Sequence, residues 1–397
     1  MRVGILGGGQ LAGMLADAVT RLGVAATIYD PDPDAPARVR VADAISAPFD
    51  DVAALREFCS RCDVVTYERE DLPVEVLRAA CSPARFVPAL DVLAVAQDRV
   101  REKSFLTGAG FPCARHAVVR SGESLAAACR AFGMPAIAKT SRGGYDGRGQ
   151  FSWHEGADVD AAQAALPDAE WVIEERLPLV AEASCIVARS STERVVFPVI
   201  ENVHVEHVLD RSVVPCRLPE VMTRAIQEIS VECAERLGAF GLLAVEFFVA
   251  EGGSGGVDFG GRRLFVNELA PRPHNSGHVL ARACSMGQFD ALARVLAGVP
   301  LVQAFEAPGA FCMGNLLGEV WEAQRRSSTL DLRAWRRFPE VVDLHVYGKR
   351  RPATRRKMGH FIVQTSTPDG ALSKADEFRR ALMAPPSATT SPGPAFP

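Results

Sequence analysis

AKTSRGGYDGRGQ (residues 138–150) joins an apolar segment to a loop that contains four glycines. Glycines let backbone N–H groups approach a ligand closely, and such amides bind phosphate. Lys139, at the end of the predicted strand, and Arg148, in the loop, are placed to meet a polyphosphate. The spacing is not that of a P-loop, since the lysine comes from the preceding strand. The alternative is a merely flexible turn, which would not need these charges.

Length and composition limit the class of protein. A chain of 397 residues predicts two or three domains. The net charge of −4 gives no overall attraction to nucleic acid or to an anionic membrane. Apolar runs stay below the ~18 residues of a membrane span, so a cytoplasmic protein is expected. Of ten cysteines only Cys59 and Cys62 form a CxxC, which is too little for a zinc site.

Alternating strands and helices predict the fold class. Residues 2–7 form an apolar strand, a helix follows up to Gly23, and residues 24–30 form a second strand, with further strands at 63–68 and 84–88. This alternation is typical of a parallel sheet covered on both faces. Beyond residue 100 the pattern changes, so the chain is predicted to be α/β at its start and α+β in its C-terminal part.

The first glycine turn allows two interpretations. Gly7, Gly9 and Ala12 fit G-x-G-x-x-[GA] between a strand and a helix, and Asp30 ends the second strand. This is the context of a dinucleotide fingerprint, which would bind a nicotinamide or flavin cofactor. It is equally a helix N-terminus, which binds other phosphates.

Two glutamates on neighbouring predicted strands indicate a metal site. Counting by twos puts Ala244, Glu246 and Phe248 on one strand face, and Leu264, Val266 and Glu268 on another. Carboxylates on apolar strands are costly unless they are paired or bind a metal, and Mg²⁺ suits carboxylates plus phosphates. The alternative is that each acid pairs with an arginine, such as Arg262 or Arg272.

Two polar segments complete the candidate chemistry. ELAPRPHNSGH (268–278) places Arg272, His274 and Asn275 on a proline-stiffened loop, where they could hold a small anion. YGKRRPATRRKMGH (347–360) is strongly basic. It could be a solvated face or a nucleic-acid patch, but in a slightly acidic chain a site for a phosphate ester is favoured.

In order along the chain, these motifs resemble the ATP-grasp ligases, and among them the N5-carboxyaminoimidazole ribonucleotide synthase family of purine biosynthesis. The most specific are GYDGRGQ (144–150) and NELAPRPHNSGH (267–278), and the likeness extends to about residue 365. It implies an ATP-grasp fold with a Rossmann-like domain over 1–100 for the substrate phosphate. A small subdomain with the glycine-rich loop as a lid would cover 101–173, a large subdomain with the C-terminal region 174–383, and a disordered tail 384–397.

The resemblance also implies residue roles. Glu246 and Glu268 would hold Mg²⁺, or Mn²⁺ in its place. Glu182 would hold the ribose hydroxyls, and the backbone of residues 174–177 the adenine edge. The implied ATP contacts are Arg99, Lys139, Gly144, Tyr145, Asp146, Gly147, Arg148, Gly149, Gln150, Glu174, Glu175, Arg176, Leu177, Glu182, His204, Asn267 and Glu268.

For the second substrate, the family implies contacts to aminoimidazole ribonucleotide from Gly8, Gly9, Gln10, Glu68, Glu70, Tyr145, Arg272, Lys349, Arg356 and Lys357. Catalytic roles would fall on Arg272, His274, Asn275, Asp146 and Lys349. The implied reaction phosphorylates bicarbonate with ATP and passes the carboxyl group to the exocyclic amine of the ribonucleotide. The partners are therefore small molecules, with neither nucleic acid nor membrane, and the family tends to form homodimers.

Three departures from the family pattern lie near the presumed acceptor site. YEREDLP stands where YEFENVP is common, which introduces Arg69 and Asp71; Ala12 replaces a glycine; and Ala353, Thr354 and Arg355 alter RPGRKMGH. A related ATP-grasp ligase with another small carboxylate, such as formate, or with another amine acceptor is therefore the alternative function. A noncatalytic nucleotide-binding module is a third hypothesis.

Overall fold

The computed structural model describes residues 1–144, 149–165, 169–326 and 329–384, and the predicted tail beyond Ala384 lies outside this range. Within the described residues the strands form one parallel sheet and two antiparallel sheets. The predicted class is confirmed: the fold is mixed α/β, with the antiparallel sheets in the later part of the chain.

The first sheet is parallel, in the strand order β3-β2-β1-β4. The predicted strand at 84–88 is wrong. A 3₁₀ turn covers Pro83–Arg85, and Phe86 makes only an isolated bridge to Val65, because Pro83 and Pro88 lack the N–H groups that a ladder needs. The elements are β1 (Arg2–Leu6), α1 (Gln10–Arg21), β2 (Ala25–Tyr29), β3 (Asp43–Ile45), α2 (Val52–Ser60), β4 (Val64–Tyr67), α3 (Val74–Ala80) and α4 (Leu90–Ala96).

The second sheet is small and antiparallel, in the order β5-β8-β6-β7. Leu125, Cys129 and Trp171 form its core against one helix face. Its strand β6 carries Lys139 and leads into the glycine-rich loop. The elements are α5 (Arg99–Gly108), β5 (His116–Val119), α6 (Leu125–Phe132), β6 (Ala136–Thr140), β7 (Gln150–Trp153), α7 (Val159–Ala165) and β8 (Trp171–Glu175).

The third sheet has ten strands, in the order β14-β15-β13-β9-β11-β12-β16-β18-β17, with β10 paired to β9. The elements are β9 (Leu179–Arg189), β10 (Arg194–Val196), β11 (Ile200–Val205), β12 (Val208–Val214), α8 (Glu220–Arg236), β13 (Gly241–Ala250), β14 (Val257–Asp258), β15 (Arg263–Ala270), α9 (Leu280–Ala283), α10 (Gln288–Ala297), β16 (Ala310–Leu317), α11 (Gly318–Ala323), β17 (Val341–Val346), β18 (Lys357–Thr365) and α12 (Pro368–Met383).

Shared apolar cores join the sheets. Leu15 and Val19 of α1 are buried in one cluster with Leu292 and Leu296 of α10, against the large sheet. Leu106 of α5 is buried in the core on the other side of the same sheet. Helix α5 therefore packs on the large sheet, although it precedes the small one in sequence. None of the described helices is both long and apolar enough to cross a membrane.

Candidate active site

Glu246 on β13 and Glu268 on β15 lie directly opposite each other in the antiparallel ladder. The register shifts beside this pair, because Val266 pairs with Phe247 and leaves Asn267 as an extra residue. Bulges of this kind re-aim side chains next to active sites. The expectation that Val266 shares the face of Glu268 is therefore wrong: Val266 and Phe247 are buried together in the core under the sheet.

The predicted metal pair presents oxygen atoms from two carboxylates. The Glu246 side chain is 13 % exposed and that of Glu268 is 37 % exposed. The neighbouring Asn267 Oδ1 is buried without a hydrogen-bond partner among the described residues. Oxygen donors alone suit a hard cation such as Mg²⁺, which takes one or two carboxylates and completes its shell with phosphates and water. The residues present therefore fit a magnesium site.

Neither glutamate pairs with the arginines considered from the sequence. His274 Nε2 lies 2.7 Å from Glu246 Oε1, and Arg99 Nη1 lies 3.3 Å from Glu268 Oε2, whereas Arg272 pairs with Glu70 over 3.1 Å. Burial raises the pKa of Glu246, but the adjoining His274 and the nearby Lys357 outweigh burial and lower it to about 2. Glu246 is thus an anion at neutral pH.

A buried ionic cluster connects the two antiparallel sheets. Lys139 Nζ lies 3.1 Å from Glu174 Oε1, and Lys103 Nζ lies 3.6 Å from Glu174 Oε2. Burial raises the pKa of Glu174, but Lys103 and Lys139 outweigh burial and lower it to about 2. Lys103 also donates to the Asn267 carbonyl over 2.9 Å. The cluster therefore links the predicted adenine strand to the strand that carries Glu268.

Helix α5 presents three charged residues to this cluster. Arg99, Glu102 and Lys103 share one helix face by their spacing, and Glu102 accepts from the Leu269 N–H over 2.7 Å. Only Arg99 is among the predicted site residues. The signal that could have revealed Glu102 and Lys103 is charge on a face that the apolar Leu106 marks as buried.

Only the two ends of the glycine-rich loop are described. Arg99 Nη2 donates to the Gly144 carbonyl over 3.4 Å, and Gly149 has a φ of +67°, with its carbonyl accepting from Thr140 N. Gln150 pairs with Lys139 where β7 meets β6. Asp98, which the sequence did not single out, holds the loop by accepting from Ser141 Oγ over 2.7 Å. Tyr145, Asp146, Gly147 and Arg148 lie outside the described residues.

The predicted adenine strand ends beside an apolar wall. Leu177 packs against Phe248 and Phe265, on the sheet face that carries Glu246. Glu175 accepts from the Ser254 N–H over 3.0 Å, and Arg176 N donates to the Pro135 carbonyl over 3.2 Å. These contacts fix the strand between the small and large sheets.

The predicted ribose residue has a partner on the next strand. Glu182 Oε2 lies 3.1 Å from His204 Nδ1. Burial lowers the pKa of His204, but the hydrogen bond and charge of Glu182 outweigh burial and raise it. Both predicted ATP residues are thus brought together on β9 and β11.

The proline-stiffened loop carries three predicted catalytic residues into different contacts. Arg272 is joined to Glu70, another predicted substrate residue. Asn275 exchanges side-chain amide bonds of 3.2 and 2.8 Å with Asn315 and is almost buried. Among these residues Arg272 is the one that pairs with a predicted substrate residue.

The first glycine turn is closed by carboxylates of the protein. Gly8 N donates to Asp30 Oδ2 over 2.7 Å, Gly9 N donates to Glu68 Oε1, and Ala12 N donates to Glu68 Oε2 over 2.8 Å. Gln10 begins helix α1. The amides predicted to hold the substrate phosphate therefore already have anionic acceptors, and a phosphate would reach Gly9 only by displacing Glu68.

Basic residues of the 347–360 segment lie next to these sites. Lys349 Nζ donates to the Lys357 carbonyl over 2.7 Å. Burial raises the pKa of Glu68, and the charge of Lys349 opposes this rise. Arg356 Nη1 donates to the Arg351 carbonyl over 2.6 Å. Lys357 lowers the pKa of Glu246, so its charge is felt at the predicted metal pair as well as at the predicted acceptor site.

Family models match most of the chain. Residues 1–97 match the ribonucleotide synthetase preATP-grasp domain, residues 104–289 the ATP-grasp domain, and residues 312–374 the phosphoribosylaminoimidazole carboxylase C-terminal domain. The N5-carboxyaminoimidazole ribonucleotide synthase of Bacillus subtilis is 34 % identical over 92 % of this chain and 92 % of its own length. The chain belongs to the N5-carboxyaminoimidazole ribonucleotide synthase family.

Solved structures of this family agree. The Staphylococcus aureus N5-carboxyaminoimidazole synthetase complexed with ADP superimposes with a TM-score of 0.84 at 30 % identity, over 95 % of this chain and 96 % of that one. The Aspergillus clavatus synthase in complex with ADP and 5-aminoimidazole ribonucleotide gives 0.80 at 25 % identity, over 96 % and 98 %. The predicted ATP-grasp fold and ligase class are thus confirmed, and the nicotinamide interpretation of the first glycine turn finds no support.

The departures from the N5-carboxyaminoimidazole ribonucleotide synthase pattern have structural partners. Arg69 and Asp71 pair with each other, with Arg69 Nε donating to Asp71 Oδ1 over 2.6 Å, and Arg69 lies 5.2 Å above the Phe49 ring. Arg355 pairs with the exposed Glu206. Ala12 is buried and uses only its backbone at the turn.

Proposed function

We infer that the chain is an ATP-dependent ligase that carboxylates 5-aminoimidazole ribonucleotide with bicarbonate, giving N5-carboxyaminoimidazole ribonucleotide, ADP and phosphate. The observation that carries this is the placement of Glu246 opposite Glu268, with Arg99 and His274 on either side. The family membership of the chain supplies the substrate class.

ATP binding is supported by the cluster between the sheets. The predicted ribose pair Glu182–His204 and the apolar wall at Leu177 share the large sheet with the two opposed glutamates. Together the apolar wall, the ribose pair and the two glutamates form a row of predicted ATP contacts, and Lys139 and Arg99 supply positive charge near the glutamates, where the phosphates would lie. A nucleoside triphosphate laid along the row would place its base on the apolar wall and its phosphates at the carboxylates.

Mg²⁺ is the proposed cofactor, with Mn²⁺ as a substitute. Glu246 and Glu268 would hold it, and Asn267 Oδ1 is a neutral oxygen beside them. Bound there, the ion supplies charge neutralisation to the transferring phosphoryl group. Glu246 is kept anionic by its neighbours, whose charge outweighs its burial, and this favours a cation at the pair.

Arg272 and His274 are proposed to handle bicarbonate. A bicarbonate oxygen attacks the γ-phosphorus, ADP leaves, and the mixed anhydride carboxyphosphate forms. Its breakdown releases phosphate and delivers carbon to the exocyclic amine, which loses a proton. Arg272 is placed to orient the anion through paired N–H donors, and Glu70 holds Arg272 in position. Exclusion of water matters here, because carboxyphosphate hydrolyses.

The acceptor is proposed to lie between Glu68, Glu70 and Lys349, with Arg356 and Lys357 nearby for its 5′-phosphate. Burial raises the pKa of Glu68, and the charge of Lys349 partly offsets this rise. Glu70 forms an ion pair with Arg272. Of the predicted turn, the Gly8 amide would donate to phosphate only after Asp30 is displaced, and the Gly9 amide only after Glu68 is displaced. The domain boundaries, a homodimeric assembly and a cytoplasmic location stay predictions.

An omission assay tests this function. Phosphate release from ATP is measured with bicarbonate and aminoimidazole ribonucleotide, and each component is omitted in turn. We expect release that needs both, together with formation of the carbamate. Release that ignores the ribonucleotide but responds to formate would instead support the alternative ligase. No release under any condition would support a noncatalytic nucleotide-binding module.

A further inference from the structure

A continuous chain of buried hydrogen bonds crosses the large sheet and ends at the His274 ring. Ser212 Oγ bonds Asn202 Oδ1 over 3.1 Å, and Asn202 Nδ2 bonds Ser184 Oγ over 3.0 Å. Ser184 Oγ lies 2.7 Å from Ser276 Oγ, which lies 2.8 Å from His274 Nδ1. The three serines are fully buried. None of the four polar residues behind His274 was singled out by sequence reasoning.

The direction of these hydrogen bonds follows from the donors available. Ser212 must donate to Asn202 Oδ1, since a flipped amide would leave its buried O–H without an acceptor among the described residues. Asn202 Nδ2 can then only donate to Ser184. The Ser184 O–H is left to donate to Ser276, and the Ser276 O–H to His274 Nδ1.

We propose that Ser276, backed by Ser184, Asn202 and Ser212, is a positioning residue that keeps the His274 proton on Nε2, where it donates to Glu246. A ring whose Nδ1 accepts this hydrogen bond has Nε2–H as its donor on the Glu246 side. It therefore holds the Glu246 carboxylate in a fixed orientation.

The backbone at His274 is fixed independently of this chain. Gln288 accepts from His274 N over 2.8 Å and donates to His274 O over 2.7 Å. A Cβ at Gly277 would clash with Ile186 Cδ1 and with the Gln288 side chain, so a larger residue there would displace Gln288. Because the main chain is held, loss of the Ser276 hydroxyl changes the ring and its proton and leaves the loop in place.

The inference rests on the proposed metal role of Glu246, but its first test does not. Side-chain ¹⁵N NMR of the metal-free protein in neutral buffer reads the histidine tautomers, and His274→Gln identifies the His274 signals. We expect the proton on Nε2 in the wild type. In Ser276→Ala we expect the proton to be shared between the two ring nitrogens. A wild-type ring protonated on Nδ1, or on both nitrogens, overturns the proposal.

The second test measures the Mg²⁺ concentration that half-saturates ATP-dependent phosphate release. Removing a group that orients a metal-binding side chain typically costs 10- to 100-fold, so we expect about a tenfold increase for Ser276→Ala. Ser230→Ala is the matched control, because Ser230 is equally buried and donates to the Ile226 carbonyl of its own helix, away from His274. An unchanged Mg²⁺ requirement in Ser276→Ala overturns the proposal.

Two further outcomes separate the hypotheses. Ser184→Ala, which removes the donor to Ser276, covers the case in which Ser276→Ala does not fold, and we expect a smaller shift of the His274 tautomer. If the protein releases no phosphate but shows the Nε2 tautomer, the proposed function fails while the positioning role stands. If it is active with the wrong tautomer, the reverse holds.

Discussion

Glu246 and Glu268 occupy opposing positions on neighbouring strands, yet each is held by a different basic residue, His274 in one case and Arg99 in the other. Two carboxylates so close repel each other, and each is held in place by a contact to its own partner. The pair is therefore held ready for a divalent ion by groups from two distant segments of the chain.

Replacing Glu268 tests that pair directly. Glu268→Gln keeps the shape but removes one of two negative ligands, so we expect at least a 100-fold loss of ATP-dependent phosphate release. The loss should shrink at high Mg²⁺ concentration. Glu251→Gln, an exposed residue at the end of β13, is the control. Full activity in Glu268→Gln would disprove the metal role.

Lys103 is expected to contribute to stability through buried charge. Lys103→Met leaves Glu174 with Lys139 alone and leaves the Asn267 carbonyl without its donor. We expect the free energy of unfolding to fall by about 3 kcal/mol, as for other buried pairs that lose one partner. Urea denaturation measures this. Lys374→Met, which breaks a half-exposed pair with Glu377, should change little; an equal effect of both variants would contradict the argument.

Acid should destabilise the fold through His360. Burial and the neighbouring His345 lower the pKa of His360 to about 3, below its unfolded value of about 6.5. Between these two pH values the unfolded chain binds a proton at His360 and the folded chain does not. The stability present above pH 6.5 is therefore lost as pH falls towards 3. One such proton gives a slope of about 1.4 kcal/mol per pH unit.

The His360→Gln variant checks this slope. The unfolding free energy, followed by urea denaturation across that pH window, should fall less steeply than in the wild type. Loss of the 2.9 Å hydrogen bond from the Tyr347 hydroxyl would lower the unfolding free energy by the same amount at every pH. It would not change the slope against pH. Parallel curves for the two proteins would show that His360 is already charged in the folded state.

The Arg69–Asp71 pair should affect the acceptor and not ATP. Arg69 lies between Glu68 and Glu70 and braces their loop against Phe49. We expect Arg69→Ala to raise the KM for aminoimidazole ribonucleotide several-fold while the KM for ATP stays unchanged. The double change Arg69→Phe with Asp71→Asn, which restores the common family residues, should recover the wild-type value.

A second exposed pair serves as the control for that series. Arg78→Ala breaks the ion pair between Arg78 and Asp91, and neither KM should respond. A KM for ATP that rises together with that for the ribonucleotide in Arg69→Ala would mean that the loop supports both substrates.

Local patterns in the sequence predicted much of this molecule. The β1-α1-β2 unit follows from an apolar run, a glycine turn and helical periodicity, and the two glutamates were correctly placed on neighbouring strands. Counting by twos fails at Asn267, because a bulge depends on how two strands meet and leaves no mark in either one alone. Ser184, Asn202 and Ser276 were missed for a related reason, since three separate segments bring them together. Glu68 was predicted to contact substrate, but its present bonds to the glycine turn depend on a tertiary fit between β4 and α1.

The ten-stranded sheet runs unbroken from β15, with Glu268, to β18, which begins at Lys357. Hydrogen bonds between successive strands make it one continuous layer, so the proposed metal residues and the proposed phosphate-binding residues keep a fixed spacing. Any adjustment to a ligand of different size is then expected in the small antiparallel sheet and in the amino-terminal parallel sheet.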